Sequence, residues 1–84
     1  MKSTDNIVLK VLTPQQTLFE GLVEKVELPG EKGRFMVLYN HAPVISSLSE
    51  GVVSYVAGGT HKEIRIVSGF VSVNANVITV CAEV

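Results

Sequence analysis

The heptapeptide "LVEKVEL" at residues 22–28 indicates the fold of the chain, because it alternates apolar and charged side chains. In an extended strand successive side chains point to opposite faces. Leu22, Val26 and Leu28 then share one face, and Lys25 and Glu27 occupy the other. Such a strand covers a core with one face and meets water with the other.

The same pattern recurs along the chain. "KEIRIV" at residues 62–67 places Ile64 and Ile66 on one face and Glu63 and Arg65 on the other. The runs "NIVLKVL", "RFMVL", "GVVSYVA", "FVSV" and "VITVCA" are rich in β-branched residues, which favour strands, and in places they are apolar on both faces. Strands covered by a second sheet or by a partner have that character.

Turn residues divide these runs at intervals of about eight to twelve residues. Pro14 is expected to end the first strand and Glu20-Gly21 to form a tight turn or bulge. Glu50-Gly51 and Gly58-Gly59 are expected to form hairpin turns, and Asn74–Asn76 another turn. With no helical periodicity beyond a short turn, we predict an all-β domain of about eight to ten strands, packed as two sheets or a flattened barrel.

Length and composition limit the possible functions. The chain has 84 residues, of which 46% are apolar, and a formal net charge of −1, so we expect one domain over residues 1–84 and no binding of nucleic acid. A lone cysteine, Cys81, fits a reducing compartment. The N-terminal stretch does not have the pattern of a signal peptide, and no run approaches the ~20 apolar residues of a membrane span. We therefore expect a soluble protein that reaches a membrane only through a partner.

The sequence offers no constellation for catalysis. "GEKGRF" at residues 30–35 has glycines, but it leads into a strand and not into the helix that a phosphate-binding loop needs. One cysteine and two distant histidines, His41 and His61, are a poor zinc site. We predict no catalytic, cofactor-binding or metal-binding residues, and so no enzyme activity. Cys81 and the three phenylalanines, among them Phe70, are interpreted as core residues.

His41 lies in "LYNHAPVISSLSEGVV", residues 38–53, between two strand-like runs. Three roles are open for it: a catalytic base, a metal ligand, or a member of a loop that another protein contacts. The first two lack supporting residues. Within the third, the imidazole either braces its own loop by a backbone hydrogen bond or touches the partner directly, and we favour bracing.

Three fragments resemble one protein family when taken in order. "LTPQQTLFEGLVEKVELPGEKG", "HAPVISSLSEGVV" and "SGFVSVNANVITVCAE" are similar to the N-terminal domain of the epsilon subunit of bacterial rotary ATP synthase, over roughly Ile7 to Glu83. The chain departs from the family at Met36–Asn40, where Gly-Ile-Leu-Pro-Gly is usual. Gly69 stands where the family often has two glycines, and Ser72 stands where glutamate is common.

This resemblance implies a β-sandwich of about ten antiparallel strands in two sheets. It also implies a non-catalytic rotor subunit in the central stalk of the proton-translocating ATP synthase. The subunit links the gamma subunit to the ring of proteolipid (c) subunits and couples ion flow to ATP synthesis. It is peripheral, on the cytoplasmic side of the cell membrane, and holds no cofactor. The apolar runs "GVVSYVA" and "RFMVL" are expected to pack against gamma.

The resemblance also marks candidate contact positions in two polar loops, which are both expected to suit the proteolipid ring. We interpret these positions as loop-forming or partner-contact residues: Pro29, Gly30, Gly33, Asn40, His41, Ala42 and Pro43.

Most bacterial members of the family continue into a helical hairpin, which in some of them restrains ATP hydrolysis or binds ATP. Because this sequence stops at Val84, we expect no helical domain and no ATP binding. An alternative function is a free-standing β-sandwich that binds a protein or a carbohydrate. A carbohydrate site usually presents aromatic platforms, and the chain has no tryptophan and two tyrosines.

Overall fold

The computed structural model describes residues 6–84. Residues 1–5, the start of the N-terminal stretch that was considered as a signal peptide, lie outside the described residues. Residues 6–84 form nine strands and no helix, which confirms the all-β prediction. The strands are β1 (Ile7–Leu12), β2 (Thr17–Val23), β3 (Lys25–Gly30), β4 (Gly33–Val37), β5 (Val44–Leu48), β6 (Gly51–Ala57), β7 (Thr60–Ile66), β8 (Ser68–Asn74) and β9 (Val77–Glu83).

The strands form one curled sheet with the order β2-β1-β9-β8-β5-β3-β6-β7, and β4 pairs with the free edge of β3. The junction between β5 and β3 is a single residue pair, Gly30 with Leu48, so the sheet can fold over there. The two predicted sheets correspond to its halves, which we call the first half (β2, β1, β9, β8, β5) and the second half (β4, β3, β6, β7).

One pairing differs from the antiparallel expectation. β1 and β9 run parallel, from the pair Val8 with Val77 to the pair Leu12 with Cys81, while every other strand pair is antiparallel. A parallel pair needs a long crossover connection. Here the connection is the rest of the chain, so no local turn signal announces it.

The core lies between the two halves. The rings of Phe19 and Tyr55 approach across it, with centroids 4.6 Å apart, and burial raises the pKa of the Tyr55 hydroxyl. Burying each aliphatic side chain contributes about 1.5–3 kcal/mol to stability. The largest fully buried side chains are Ile7, Leu9, Leu28, Ile66, Ile78, Val11, Val23, Val26, Val37, Val53, Val71 and Val80.

The stretch at residues 22–28 is two strands and not one, so the prediction for Leu22 is wrong. Its side chain is 59% exposed, whereas Val23 and Val26 are buried. The chain bends at Glu24, whose N–H donates to the Val56 carbonyl at 2.8 Å, and passes there from the first half to the second. The bend shifts the alternation by one residue, which moves Leu22 to the outer face.

Two of the predicted hairpin turns are confirmed. Gly58 (φ 57°) and Gly59 (φ 78°) join β6 to β7, and Ala75 (φ 52°) and Asn76 (φ 64°) join β8 to β9. Two successive residues with positive φ form the two-residue hairpin turn whose twist matches that of the flanking strands.

Two other turn predictions are wrong. Glu20-Gly21 lies inside β2, where a side chain on Gly21 would come within 3.3 Å of the Phe19 ring, so this glycine makes room for the ring. Glu50-Gly51 connects β5 to β6, but these strands pair with different neighbours and do not form a hairpin.

Candidate functional site

The candidate residues from the sequence fall into two groups, which lie at opposite ends of β4 and β5. The turn between β3 and β4 carries Gly30 and Gly33, and β5 ends beside it at Leu48. The other group is the segment Leu38–Pro43, which follows the far end of β4 and precedes β5. Each of these strands has five residues, which span roughly 13–17 Å. The structure therefore does not bring the two loops together in one patch.

The turn between β3 and β4 contains fewer residues than the sequence suggested. Pro29 and Gly30 are the last residues of β3 and are buried, so their role is to shape the hairpin. The turn itself consists of Glu31 and Lys32, both exposed, which sequence reasoning did not select. Both side chains face the outside at this end of the sheet.

Glycine is required at both ends of this turn. A side chain on Gly30 would lie 2.7 Å from the Gly33 carbonyl oxygen and 2.9 Å from the Phe35 ring. Gly33 has a φ of 132°, in the region where residues with a side chain are strained. Both positions therefore shape the turn between β3 and β4.

The segment Leu38–Pro43, which we call the His41 loop, makes a tight turn although it contains no glycine. Asn40 adopts φ 65°, and the His41 N–H donates to the Leu38 carbonyl at 3.1 Å, which closes the turn. Asparagine tolerates this left-handed conformation better than most residues. Asn40 therefore takes the place of a glycine.

The imidazole of His41 braces this loop. Its Nδ1 lies 2.8 Å from the Ala42 carbonyl oxygen, and because a carbonyl only accepts, Nδ1–H is the donor. The side chains of His41, Ala42 and Pro43 are all exposed, so the braced loop presents them to the outside. Within residues 6–84 no group of three or more His, Cys, Asp or Glu side chains is placed to hold a metal ion.

A second candidate surface lies on the outer side of the first half. Ile45 is 82% exposed and Phe70 is 63% exposed, and both are large apolar side chains. We call this surface the β5–β8–β9 face, and its outward residues are Ile45, Ser47, Ser68, Phe70, Ser72, Asn74, Val77, Thr79, Cys81 and Glu83. Among these ten, Glu83 at the end of β9 is the one charged residue.

The sequence interpretation of Phe70 and Cys81 as core residues is wrong, since both are exposed. Their strands contain the signal that would have placed them correctly. In β8 the buried Val71 and Val73 alternate with Phe70, and in β9 Val80 and its like-facing neighbours alternate with Cys81. Strict period 2 thus assigns both residues to the outer face.

The outer side of the second half is different, because it is charged. Arg34 on β4 reaches Glu27 on β3 (Nε to Oε1, 3.4 Å) and donates from Nη2 to Ser54 Oγ on β6 at 3.0 Å. The outward side chains on these strands include Lys25, Glu27, Arg34, Glu63 and Arg65. The runs "RFMVL" and "GVVSYVA", which were expected to pack on a partner, lie here and turn their buried side chains to the core.

An open groove of about 590 Å³ borders the β5–β8–β9 face next to Phe70. Its apolar lining includes Leu12, Leu48 and Ala82. The groove extends the exposed apolar surface toward the end of β9. The described part of the chain, residues 6–84, holds no helix with the length and hydrophobicity that crossing a membrane requires.

Curated relatives share this domain. The chain is 34% identical over 74 residues to the ATP synthase epsilon chain of Bradyrhizobium sp. (strain BTAi1 / ATCC BAA-1182), an alignment that covers 88% of this chain and 55% of the relative. It is 36% identical over 74 residues to the epsilon chain of Rhodopseudomonas palustris (strain BisB5), with the same coverage of 88% and 55%. The chain thus spans about half the length of these relatives.

Solved structures share the fold. A chain of the Euglena gracilis mitochondrial ATP synthase (OSCP/F1/c-ring) superposes with a TM-score of 0.86 at 21% identity, over 93% of this chain and 51% of that chain. A chain of the Tetrahymena thermophila mitochondrial ATP synthase (central stalk/c-ring) superposes with a TM-score of 0.76 at 13% identity, over 92% and 63%.

The family assignment rests on the whole described part of the chain. Residues 6–84 match the family described as "ATP synthase, Delta/Epsilon chain, beta-sandwich domain". The two surfaces described above, a braced polar loop and a sheet face with exposed apolar side chains, are thus features of a domain whose relatives are ATP synthase subunits. The chain belongs to the delta/epsilon β-sandwich domain family of ATP synthase.

Proposed function

We propose that the chain is a non-catalytic central-stalk subunit of a rotary ATP synthase that links the gamma subunit to the proteolipid ring. In this role it turns with the ring and couples ion flow to ATP synthesis, as a peripheral subunit on the cytoplasmic side of the cell membrane. The observation that carries the proposal is the β5–β8–β9 face, where the large apolar side chains of Ile45 and Phe70 are exposed. The names of the epsilon-chain relatives support it.

The gamma subunit is proposed to cover the β5–β8–β9 face. The cores of protein interfaces lack charge and are enriched in aromatic residues, and large exposed apolar patches mark such interfaces. Phe70 lies in the middle strand of this face, with Ser47 and Cys81 as its cross-strand neighbours. The charged outer side of the second half is the solvated side of the domain, because burying its ion pairs would cost desolvation.

The His41 loop is proposed to contact the proteolipid ring. Its residues are exposed and polar or small, and the hydrogen bond from His41 holds the loop in one shape. A preformed loop loses less conformational entropy on binding than a flexible one. The loop directly precedes β5 and adjoins the β5–β8–β9 face there, so that one rigid domain can hold two neighbouring partners in a fixed orientation.

Phe70→Asp is expected to weaken binding to the gamma subunit by at least about 2 kcal/mol, the loss typical of a hot-spot residue. The melting temperature of the free chain should stay close to that of the wild type, since the side chain points outward. Titration of purified gamma subunit with each variant measures the loss.

Met36→Asp is the matched control for Phe70→Asp. It places the same acid at a 40% exposed apolar residue on the charged outer side of the second half. Gamma binding should be retained. Equal losses in the two variants, or full binding by Phe70→Asp, would contradict the assignment of the β5–β8–β9 face.

His41→Ala and Ala42→Glu should separate bracing from contact in the His41 loop. His41→Ala removes one exposed hydrogen bond, so the free energy of unfolding should fall by about 0.5 kcal/mol, the low end for such a bond. Ala42→Glu adds a bulky charge at an exposed position, so stability should be kept while assembly with the proteolipid ring is lost. Thermal melting and reconstitution of the complex give the two readouts. Normal assembly of Ala42→Glu would remove this loop from the contact.

A further inference from the structure

Asn76 lies at a junction of three segments. It sits in the turn between β8 and β9, and its carbonyl accepts the N–H of Val8 in β1 at 3.0 Å. Its side chain reaches the His41 loop, where Oδ1 accepts the Asn40 N–H at 2.6 Å and Nδ2 donates to Asn40 Oδ1 at 3.2 Å. Two asparagines that are 36 residues apart therefore form a reciprocal pair.

This pair is the hydrogen-bonded tie between the His41 loop and the body of the domain. Within residues 6–84, the other hydrogen bonds of the loop are internal: His41 N–H to Leu38, and the imidazole to Ala42. Internal bonds fix the shape of the loop but do not place it relative to the sheet. Its side chains are exposed, so packing against the core contributes little to its placement.

We propose that Asn76 is the positioning residue of the His41 loop, which it holds in the orientation that partner binding requires. This inference rests on the proposed function, since it takes the loop as a contact. Asn76 touches no partner in this account and acts through Asn40.

Asparagine is the residue type that suits this position. At φ 64° the turn tolerates glycine or asparagine best. Glycine has no side chain to reach Asn40, and aspartate lacks the Nδ2 donor although it keeps an acceptor. Asn40 has the same dual requirement at φ 65°. Each residue of the pair must therefore adopt a positive φ and also provide a side chain that hydrogen-bonds to the other residue.

The test is Asn76→Gly, which removes both side-chain bonds and keeps the turn. Hydrogen exchange of the Asn40 amide should accelerate about tenfold, because one ordinary hydrogen bond corresponds to about that factor. Binding of the variant to an ATP synthase complex stripped of this subunit should weaken by a similar factor. Asn40→Gly keeps the backbone N–H that Asn76 Oδ1 accepts, so its effects should be smaller.

Ala75→Gly is the matched control, since it changes the same turn at φ 52° without touching the pair. It should alter neither exchange at Asn40 nor binding. Unchanged exchange in Asn76→Gly would overturn the inference. So would faster exchange with wild-type binding, if Ala42→Glu abolishes binding in the same assay. If Ala42→Glu also binds normally, the proposed contact itself is wrong, and the inference fails with it.

Discussion

Leu9→Ala is expected to lower the free energy of unfolding of the chain by about 2–5 kcal/mol, the range for emptying a leucine site in a core. Leu9 is fully buried in the middle of β1, which pairs with β2 on one side and with β9 on the other. Truncation removes apolar contact and leaves a cavity that the flanking strands cannot close without losing their own pairing. A domain of this size has a total stability of roughly 4–13 kcal/mol, so this loss is a large share.

Leu22→Ala is the matched control for Leu9→Ala. It deletes the same atoms from a leucine that is 59% exposed on the neighbouring strand β2. Its effect should stay within about 0.5 kcal/mol, as is usual for surface positions. Denaturant unfolding of both variants gives the comparison. An equal cost for the two leucines would mean that Leu22 is a core residue, as the simple alternation of residues 22–28 suggested.

The features that the sequence predicted correctly are local. In "KEIRIV" the alternation placed Ile66 in the core, where it is fully buried, and Gly58-Gly59 marked the hairpin between β6 and β7. Each depends on residues a few positions apart, so a short window contains the whole physical cause. The same holds for the turn that begins at Gly30 and for the exposed loop at His41.

The features that the sequence missed depend on distant residues. The bend at Glu24 is fixed by Val56, which is far along the chain, and the parallel pairing of β1 with β9 joins the two ends of the domain. The tie between Asn40 and Asn76 has the same character. No window around any one of these residues contains its partner.

The candidate site was predicted in part. The sequence selected His41 and its neighbours, and the structure shows them exposed and braced. It missed the β5–β8–β9 face, because Phe70 was interpreted as core on its residue type alone. An exposed aromatic side chain leaves apolar surface in contact with water, which is unfavourable for the free chain. A partner that covers the residue would remove this surface from water. Residue type predicts burial, but alternation within β8 decides which side is buried.

Gly69→Ala is expected to be among the most damaging changes to the first half of the sheet. A methyl group at this position would lie 2.6 Å from the Cys81 carbonyl oxygen and 3.1 Å from Ala82 Cα. Both are backbone atoms of β9, so they can move only if the pairing of β8 with β9 is distorted. We expect the free energy of unfolding to fall by about 1–3 kcal/mol or more, as for overpacking in a rigid setting.

Gly21→Ala separates this effect from the general cost of changing a strand glycine. Its new methyl group would meet the Phe19 ring at 3.3 Å, a side chain that can shift, so the loss should be clearly smaller. Denaturant unfolding measures both variants, and equal losses would mean that backbone contact at Gly69 is not the cause.

Gly69 also precedes Phe70, so a distorted β8 would displace the aromatic residue on the β5–β8–β9 face. Gly69→Ala should therefore weaken binding to the gamma subunit even at temperatures where the variant stays folded, whereas Gly21→Ala should not.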